Sequence, residues 1–554
     1  MMKRLRSWLP GIMITVLAIS LLIPASCGNG EPTLSMPPGI TITTSPTPTT
    51  STTAPVSTTP ISEPRLESYT IADSTGDWGY PSPYAHYSRG PGYIRMQFIF
   101  ETLVWKNATE FVPQLAREWT YNEDENSYTF KLQENVQWHD GVEFTADDVV
   151  FTYEYTEEHP YQWVDNSIVE SVEALDEYTV KLYLSQPYAP FFQDVAGAQP
   201  IMPKHIWESV TVPEEFLTEE AVIGTGPYVY ADYSKEHGTY LYKANESYYL
   251  GTPAVEEIRF VKVAAEMNPA ALKEGSVNSA SIEAEVVAEM EGAGFTVITD
   301  RPSWNAKMMI NHQKDPLSSK EFRQALAYAI DREELVQVVL RGHGLAGSPG
   351  LMPPTSVWYN PDTPQYAYDL DKARQLIEGL GYTRLDNGFF AKDGQLLELS
   401  LIAAADFKDL GQFITQQIEQ LGIDIDFQAF ESKTIDAKVG AWEFDLSIYG
   451  HGGLYEPSIL ERVILDDGFN SARYSANAEL TELLTAQLTE MDTARRKDMV
   501  FRIQELYAGD LPALTLYYPK SYLAHDGSIQ LYYTMDGVSV GVPVPLNRMS
   551  FVNQ

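Results

Sequence analysis

The stretch LELSLIAAADFKDLGQFITQQIEQLGIDIDFQ, residues 397–428, decides the fold. Its first residues alternate between apolar and polar side chains, which is the period of a β-strand. Apolar residues then recur at helical spacing as far as Gly422, a residue that can end a helix in the left-handed conformation. A second alternating run begins at Ile423. A strand, a helix and a strand in this order predict parallel strands joined by a right-handed crossover, and therefore an α/β fold.

The same alternation of elements extends beyond this stretch. A short helical piece near 435–439 leads to a third alternating run at 444–449, so the unit is β-α-β-α-β. Upstream, the sequence SSKEFRQALAYAIDREELVQVVLRG at 318–342 predicts two consecutive helices. Ser318 and Glu321 have the spacing of a capping box for the first helix, and Asp331 is a helix start for the second.

Residues 106–222 follow a different pattern. A strand at 127–132 leads to an HDG turn at 139–141, and Thr145 with Asp148 predicts the start of a helix. The order of elements is α+β rather than a repeated β-α-β unit, which indicates a separate small domain. The acidic segment NEDEN at 122–126 could suggest calcium, but a hairpin turn explains it better.

Composition places the chain among ordinary globular proteins and excludes some partners. The 554 residues are 44% hydrophobic and 21% charged, which predicts two to four domains. The 38 basic residues stand against 76 acidic ones, for a net charge of −38. This balance excludes binding to nucleic acid and to an anionic membrane through the folded surface. It indicates a solvated surface that keeps an exported protein soluble, with adaptation to high salt as the alternative.

The first residues indicate export. Lys3, Arg4 and Arg6 precede an apolar run over 8–23, and small residues then lead to Cys27, the single cysteine of the chain. The layout is that of a signal peptide over residues 1–27, and its end resembles the bacterial lipoprotein processing site, at which the cysteine is acylated. An uncleaved transmembrane anchor is the alternative. Both place the rest of the chain outside the cytoplasm, in the periplasm or at the cell surface, tethered to the membrane.

Residues 28–65 are rich in Thr, Pro and Ser and carry few large apolar side chains, as in TTSPTPTTSTTAPVSTTP. Such a segment cannot bury enough surface to fold, so we expect an extended linker between the anchor and the globular body.

Six motifs of the body, taken in order, resemble one family. The chain is similar to the large extracytoplasmic solute-binding proteins, family 5, of oligopeptide, dipeptide and nickel importers. The motifs are FVPQLAREWTYNEDENSYTFKLQENVQWHDGVEFTADDVVFTYE from Phe111, GTGPY from Gly224, NESYYLGTP from Asn245, FRQALAYAIDREELV from Phe322, YDLDKARQLIEGLGY from Tyr368 and RRKDMVFRIQELYAGDLPALTLYY from Arg495. Each motif alone is weak, but the six together span some 400 residues.

The resemblance implies an α/β, two-lobed periplasmic-binding-protein (clam-shell) fold with an inserted α+β domain. Lobe I would comprise residues 66–105 with 223–305 and 516–554, the inserted domain II would comprise 106–222, and lobe III would comprise 306–515. The protein would bind a small molecule or a peptide as a monomer, close by a hinge at 303–311 and 514–519, and pass its ligand to a permease and ATPase complex. It would be neither an enzyme nor a cofactor-binding protein.

Topology and resemblance agree on one edge of the site. Ligands of open parallel sheets lie beyond the carboxyl ends of the strands. These ends carry Asp406 and Phe407 after the first strand, and Tyr449, His451 and Tyr455 at the third. In peptide-binding relatives the last segment reads G-W-x-x-D-x-x-x-P, and its Asp pairs with the peptide amino group. Here the segment reads GHGGLYEP from residue 450 and lacks that Asp.

An aromatic loop supplies further candidates. The segment GDWGYPSPYAHYSRGPGY at 76–93 is rich in aromatic residues and glycine, which suits stacking on sugars or flat apolar groups. We predict ligand contacts from this loop and from the hinge side of the site, at Trp78, Tyr80, Tyr84, Arg89 and Trp304. The alternative is that these aromatic side chains pack in the core or between domains.

The solute itself stays open at this point. The sequence contains no G-x-S-x-G elbow, P-loop, HExxH or CxxC, and its nine His form no close metal-ligand pair. We therefore predict no catalytic residue and no metal site, although a nickel chelate needs only one or two protein contacts. A short peptide is the first candidate, followed by an oligosaccharide and a nickel chelate. A tethered ligand sensor with the same fold is the alternative to import.

Overall fold

A computed structural model of the chain describes residues 65–465, 468, 470–535, 537–539, 541–542 and 546–552, with only the backbone at residues 432 and 433. The predicted signal peptide, Cys27 and the predicted linker up to residue 64 lie outside the described residues.

The strands are numbered in chain order: β1 Leu66–Asp73, β2 Val104–Lys106, β3 Phe111–Pro113, β4 Ala116–Asn122, β5 Ser127–Leu132, β6 Val169–Asp176, β7 Thr179–Leu184, β8 Tyr228–Ser234, β9 Thr239–Ala244, β10 Val255–Lys262, β11 Ser279–Ile282, β12 Thr296–Thr299, β13 Asn305–Ile310, β14 Gly344–Ala346, β15 Thr383–Arg384, β16 Phe390–Lys392, β17 Gln395–Leu396, β18 Glu398–Ala404, β19 Asp424–Phe430, β20 Leu446–His451, β21 Ala513–Pro519 and β22 Tyr522–His525.

The α-helices are numbered in the same way: α1 Gly90–Met96, α2 Ala146–Glu158, α3 Lys204–Trp207, α4 Asn268–Lys273, α5 Val287–Gly292, α6 Lys320–Ala329, α7 Arg332–Val339, α8 Leu370–Gly379, α9 Lys408–Leu421, α10 Ser432–Gly440, α11 Ser458–Ile464, α12 Ala478–Thr489 and α13 Thr493–Asp510.

Three large sheets organise these elements. A seven-stranded sheet has the order β12-β22-β11-β1-β10-β9-β8 and forms the centre of lobe I. A six-stranded sheet has the order β14-β21-β13-β20-β18-β19 and forms the centre of lobe III. A four-stranded antiparallel sheet, β4-β5-β7-β6, forms the centre of domain II. Each sheet buries its own apolar cluster. The mixture of helices and sheets confirms the predicted α/β class.

The β-α-β-α-β unit is present as predicted. Strand β18 pairs in parallel with β19 on one side and with β20 on the other. Helix α9 connects the first two strands and ends at Gly422, whose φ of 114° is the left-handed conformation expected of a helix-ending glycine. Helix α10 connects the next pair. The apolar stripe of α9 packs into the core of lobe III beside β18.

The helix starts agree with the sequence except at one residue. Asp331 caps α7 by accepting a hydrogen bond from the backbone N–H of Glu334, as predicted. The cap of α6 is Ser319, one residue after the predicted Ser318. The Ser318 hydroxyl instead donates to the carboxylate of Asp315 in the preceding turn. Two adjacent serines offer two equivalent caps, and the turn before the helix selects the second.

Domain II also agrees with its sequence pattern. Thr145 and Asp148 form the predicted capping box at the start of α2. The NEDEN segment lies at the hairpin between β4 and β5, where Asn126 has a φ of 46°. The hairpin turn is therefore the correct interpretation of this acidic segment.

Gly224 lies where domain II meets lobe I. Its backbone N–H donates to His139 Nδ1 at 3.3 Å, and its carbonyl oxygen accepts from the His139 backbone N–H at 2.9 Å. A Cβ atom at this position would lie 2.0 Å from the backbone carbonyl oxygen of Ile99. Only glycine allows the two backbone segments to approach this closely.

We expect Gly224→Ala to destabilise the protein by roughly 2 kcal/mol or more, because the clash is with backbone and requires a backbone shift. Gly379→Ala is the matched control, since an added Cβ there has no atom within 4 Å. Urea denaturation followed by circular dichroism measures both variants. Equal midpoints for the two variants would contradict the close approach at Gly224.

Candidate functional site

Lobes I and III are connected by two short crossings. The chain passes from β12 to β13 through residues 300–304 and returns from β21 to β22 through residues 520–521. The crossings lie side by side, because the Ser521 backbone N–H donates to Asp300 Oδ1 at 2.7 Å. Burial raises the pKa of Asp300 to about 6. The predicted hinge at 303–311 and 514–519 therefore lies mostly within β13 and β21, and the crossings themselves begin just outside it.

The carboxyl ends of the parallel strands collect several predicted site residues. The rings of Trp304 and Phe407 stack with centroids 5.9 Å apart and planes 10° apart. Gly450 makes room for this stack, because a Cβ there would lie 2.0 Å from the Trp304 ring. The Tyr449 hydroxyl donates to Asp436 Oδ1 at 2.6 Å. This edge of the six-stranded sheet therefore presents an aromatic and polar surface.

Lobe I approaches the same edge. The guanidinium of Arg89 is close enough to Tyr449 to act on its hydroxyl electrostatically. Gly541 and Gly453 lie closer still, since a Cβ on Gly541 would be 2.5 Å from the Gly453 Cα. Both glycines have positive φ angles, 88° and 78° respectively. The GHGGLYEP segment is thus in direct contact with the carboxyl-terminal segment of lobe I.

Five of the ten predicted ligand residues lie near this edge, but on two faces of the sheet. Trp304 and Phe407 pack against the core of lobe III. Tyr449 and His451 point to the other face, where Arg89 acts on Tyr449. The remaining five are Trp78, Tyr80 and Tyr84 of the aromatic loop, together with Asp406 and Tyr455. Asp406 is exposed on the turn before α9. The Tyr455 hydroxyl is within hydrogen-bond distance of Thr355 Oγ1, at 2.8 Å. None of these ligand contacts is tested by the structure, so each stays a prediction.

The aromatic loop of lobe I forms a separate locus. Trp78 Nε1 donates to Asp73 Oδ2 at 2.9 Å, and the Tyr80 hydroxyl donates to the carbonyl of Thr218 at 3.0 Å. Tyr84 is 9% exposed, belongs to the core cluster of domain II, and donates to the carbonyl of His159 at 2.6 Å. Tyr80 and Tyr84 line an open cavity of about 700 Å³ on this side of the molecule.

Two further cavities lie between domain II and lobe III. Their volumes are about 660 and 280 Å³, and both are lined by Trp163, Asp165 and Arg462. The smaller cavity also contacts Gly453 of the GHGGLYEP segment. It includes Asp194, whose pKa is raised to about 6 by burial and by the negative charge of Glu456. None of these residues was among the predicted ligand residues.

Lys307, in the middle of β13, was not among the predicted ligand residues either. Its side chain is fully buried, and Nζ donates to the carbonyl of Asn470 at 2.5 Å. Burial lowers the pKa of Lys307 from 10.5 to about 7. No carboxylate of the described residues forms a salt bridge with it. A lysine within the run NAKMMIN was the available signal, because the other residues of that run favour a buried strand.

Two further observations concern only the described part of the chain. It contains no group of three or more His, Cys, Asp or Glu residues positioned to hold a metal ion. Its helices include none that is both long and apolar enough to cross a membrane.

We expect Lys307→Met to stabilise the ligand-free protein. The pKa of about 7 in the folded state lies below the ordinary value of 10.5, so the unfolded chain binds this proton more tightly. Between these pH values the unfolded state holds more protons, and wild-type stability rises with pH. Lys307→Met should therefore raise the free energy of unfolding most below pH 7, and the increase should shrink toward pH 10. At ~1.4 kcal/mol per pKa unit, the increase below pH 7 is on the order of several kcal/mol.

Urea denaturation of both proteins between pH 6 and 10 measures this difference. Lys131→Met is the control: Lys131 is a strand lysine that is half exposed and 2.7 Å from Glu118, so its loss changes stability by at most ~1 kcal/mol. A stability difference between Lys307→Met and wild type that does not vary with pH would show that Lys307 is not a buried, unpaired amine.

Comparison with known proteins places this geometry in a family. Residues 110–459, more than half of the chain, match the profile of bacterial extracellular solute-binding proteins, family 5 Middle. Over 429 residues the chain is 27% identical to the oligopeptide-binding protein AppA of Bacillus subtilis (strain 168), an alignment covering 73% of this chain and 78% of the relative.

Solved structures agree on the fold. The structure of AppA from Bacillus subtilis in complex with a nonapeptide matches with a TM-score of 0.72 at 22% identity, covering 88% of this chain and 98% of that one. NikZ from Campylobacter jejuni in complex with Ni(L-His) matches with a TM-score of 0.71 at 23% identity, covering 85% and 97%. The chain belongs to family 5 of the bacterial extracellular solute-binding proteins and has their two-lobed fold.

Proposed function

We propose that this chain is the solute-binding lipoprotein of an ABC importer, which captures a short peptide between lobes I and III and delivers it to a membrane permease with its ATPase. The observation that carries the proposal is the convergence of both lobes on the carboxyl-terminal edge of the six-stranded sheet. There Gly453 of the GHGGLYEP segment lies against Gly541 of lobe I, and Trp304 stacks on Phe407 at the same edge of the sheet.

A peptide is the preferred solute for two reasons. A two-lobed cleft can enclose an extended backbone, and strand edges and turns supply hydrogen-bonding groups that are independent of the peptide's side chains. The relative AppA is named an oligopeptide-binding protein, which supports the same choice. An oligosaccharide and a nickel chelate are the alternatives, the latter because NikZ was solved with Ni(L-His).

The proposal includes the two lobes and the inserted domain predicted above, with β13 and β21 wholly in lobe III, and a monomeric protein that performs no chemistry. Ligand binding would favour the closed arrangement of the lobes only to the extent that the ligand binds that arrangement more tightly. The closed lobes would then form the surface that the permease recognises. A sensor would share all of these properties except delivery.

We expect tri- to pentapeptides to raise the melting temperature of the full chain in detergent micelles. A ligand present at 100 times its dissociation constant stabilises the folded state by about 2.7 kcal/mol, which shifts the transition by several degrees. A mixed peptide pool, β-linked oligosaccharides and nickel with histidine are compared under the same conditions. A shift with oligosaccharides or nickel–histidine alone would replace the peptide as the proposed solute, and a shift with none of the three would count against the function.

The membrane attachment is a separate part of the proposal, since residues 1–64 lie outside the described residues. We expect the expressed protein to incorporate labelled fatty acid, and Cys27→Ser to abolish the label, because Cys27 is the single thiol of the chain. Membrane fractionation and mass spectrometry of the amino terminus check this result. An unlabelled wild-type protein that keeps residues 1–26 and stays in the membrane would instead indicate the uncleaved anchor.

A further inference from the structure

Strands β13 and β20 place four side chains on one face of the six-stranded sheet. They pair in antiparallel register, with Asn305 opposite His451 and Lys307 opposite Tyr449. Because side chains alternate across a strand, these four residues point to the same side. The opposite side of β13 belongs to the apolar core of lobe III. The four residues therefore form a polar patch at the carboxyl-terminal edge of the sheet, which lobe I approaches.

This patch contains buried polar atoms without partners. His451 is 5% exposed, and neither of its ring nitrogens has a hydrogen-bond partner among the described residues. Asn305 is fully buried; its Oδ1 accepts from the His451 backbone N–H, but its side-chain nitrogen likewise has no described partner. An unsatisfied buried polar group costs roughly 1–3 kcal/mol, so native proteins leave few of them. Such groups side by side indicate a site that another molecule completes.

The two charges that act on His451 are both positive. Lys307 is fully buried, and its Nζ donates to the neutral carbonyl of Asn470. Burial, with Lys307 and Arg462 nearby, holds the pKa of His451 well below its usual range. The nearest acid that contacts the patch, Asp436, already accepts the hydroxyl of Tyr449. Two cations, a neutral imidazole and a free amide N–H₂ favour an anionic acceptor and disfavour an ammonium group.

We propose that the patch formed by Asn305, Lys307 and His451 binds a carboxylate group of the solute. The inference rests on the function proposed above and specifies the chemistry of that site. The two carboxylate oxygens can accept hydrogen bonds from the Asn305 amide and one imidazole N–H, which have no partner among the described residues. They can also accept from the Lys307 ammonium, which donates to the carbonyl of Asn470 as well. A carboxylate also supplies the negative charge that allows Lys307 to stay protonated in a buried position.

A carboxylate that binds this patch could come from three sources: the carboxyl terminus of a peptide, an acidic side chain, or a histidine chelated to nickel. The matched probes are one pool of tri- to pentapeptides without acidic side chains, the same pool with amidated carboxyl termini, and the same pool with acetylated amino termini. A fourth pool carries one acidic side chain and an amidated carboxyl terminus, and a fifth probe is nickel with histidine. The readout is the concentration of each probe that produces half of the maximal thermal shift.

For the wild-type full chain we expect amidation to raise this concentration about tenfold or more, and acetylation to change it much less, because charge-assisted bonds to a buried ammonium are lost only with the carboxylate. Lys307→Met should raise the concentration for the free-acid pool by a similar factor and remove the difference between free acid and amide. Lys307→Gln, which keeps a polar side chain, should behave in the same way. Lys131→Met, on the exposed sheet of domain II, should match wild type throughout.

The outcomes separate this inference from the proposed function. Equal binding of free-acid and amidated peptides by wild type would overturn the carboxylate site and leave peptide binding intact. Recovery of binding by the pool with an acidic side chain would keep the site and assign the carboxylate to a side chain. Binding of nickel–histidine alone, lost in Lys307→Met, would support the carboxylate site and overturn the peptide. Binding of a neutral oligosaccharide alone, or of no probe, would overturn both.

Discussion

Strand β13 is the element on which both the fold and the site depend. It hydrogen-bonds to β20 on one side and to β21 on the other, so neither its edges nor its faces reach solvent. One face contributes Ala306, Met308 and Ile310 to the core of lobe III. The other face carries Asn305 and Lys307. Burying a charged amine costs free energy unless a partner offsets the loss of its hydration. The close-packed core on the opposite face of β13 keeps the strand, and with it Lys307, in position.

Besides the close approach of Gly541 and Gly453, lobes I and III make polar contacts near the surface. Arg341 pairs with Glu285 across the two lobes, and both side chains are well exposed. His343 lies 3.2 Å from the Tyr522 hydroxyl. Exposed ion pairs contribute at most ~1 kcal/mol, so these contacts alone hold the lobes together weakly. The open and closed arrangements of the lobes would then differ little in free energy. A ligand that makes contacts only in the closed cleft can therefore shift the equilibrium toward the closed arrangement.

Much of the fold follows from the local sequence. The parallel order of β18, β19 and β20 was predictable, because strand alternation, helical spacing and a helix-ending glycine all agree over one continuous stretch. The cap at Ser319 was missed by one residue because two adjacent serines are chemically equivalent there. The carboxyl ends of these strands lie at one edge for the same topological reason: parallel strands joined by crossovers end on the same side of the sheet.

The candidate site was less predictable, because the burial of a side chain depends on the neighbouring strands and domains and not on the local sequence alone. Tyr84 lies in a loop whose aromatic content suggested stacking on a ligand, yet its side chain packs in the core of domain II. Lys307 stood in an apolar run, where a single lysine in a sequence equally suits the exposed face of an edge strand. Only the assembled sheet shows that β13 is a central strand and that this lysine is buried.

Net charge explains why a carboxylate-binding patch would have to be buried in this protein. The chain carries a formal charge of −38, so the protein as a whole repels an anionic solute that approaches from solution. In physiological salt that repulsion is screened beyond about 8 Å. Within the cleft, screening is weak, and the two charges that act on His451, those of Lys307 and Arg462, are both positive. The local field is therefore opposite in sign to the field of the whole molecule, and only a solute that has entered the cleft experiences it.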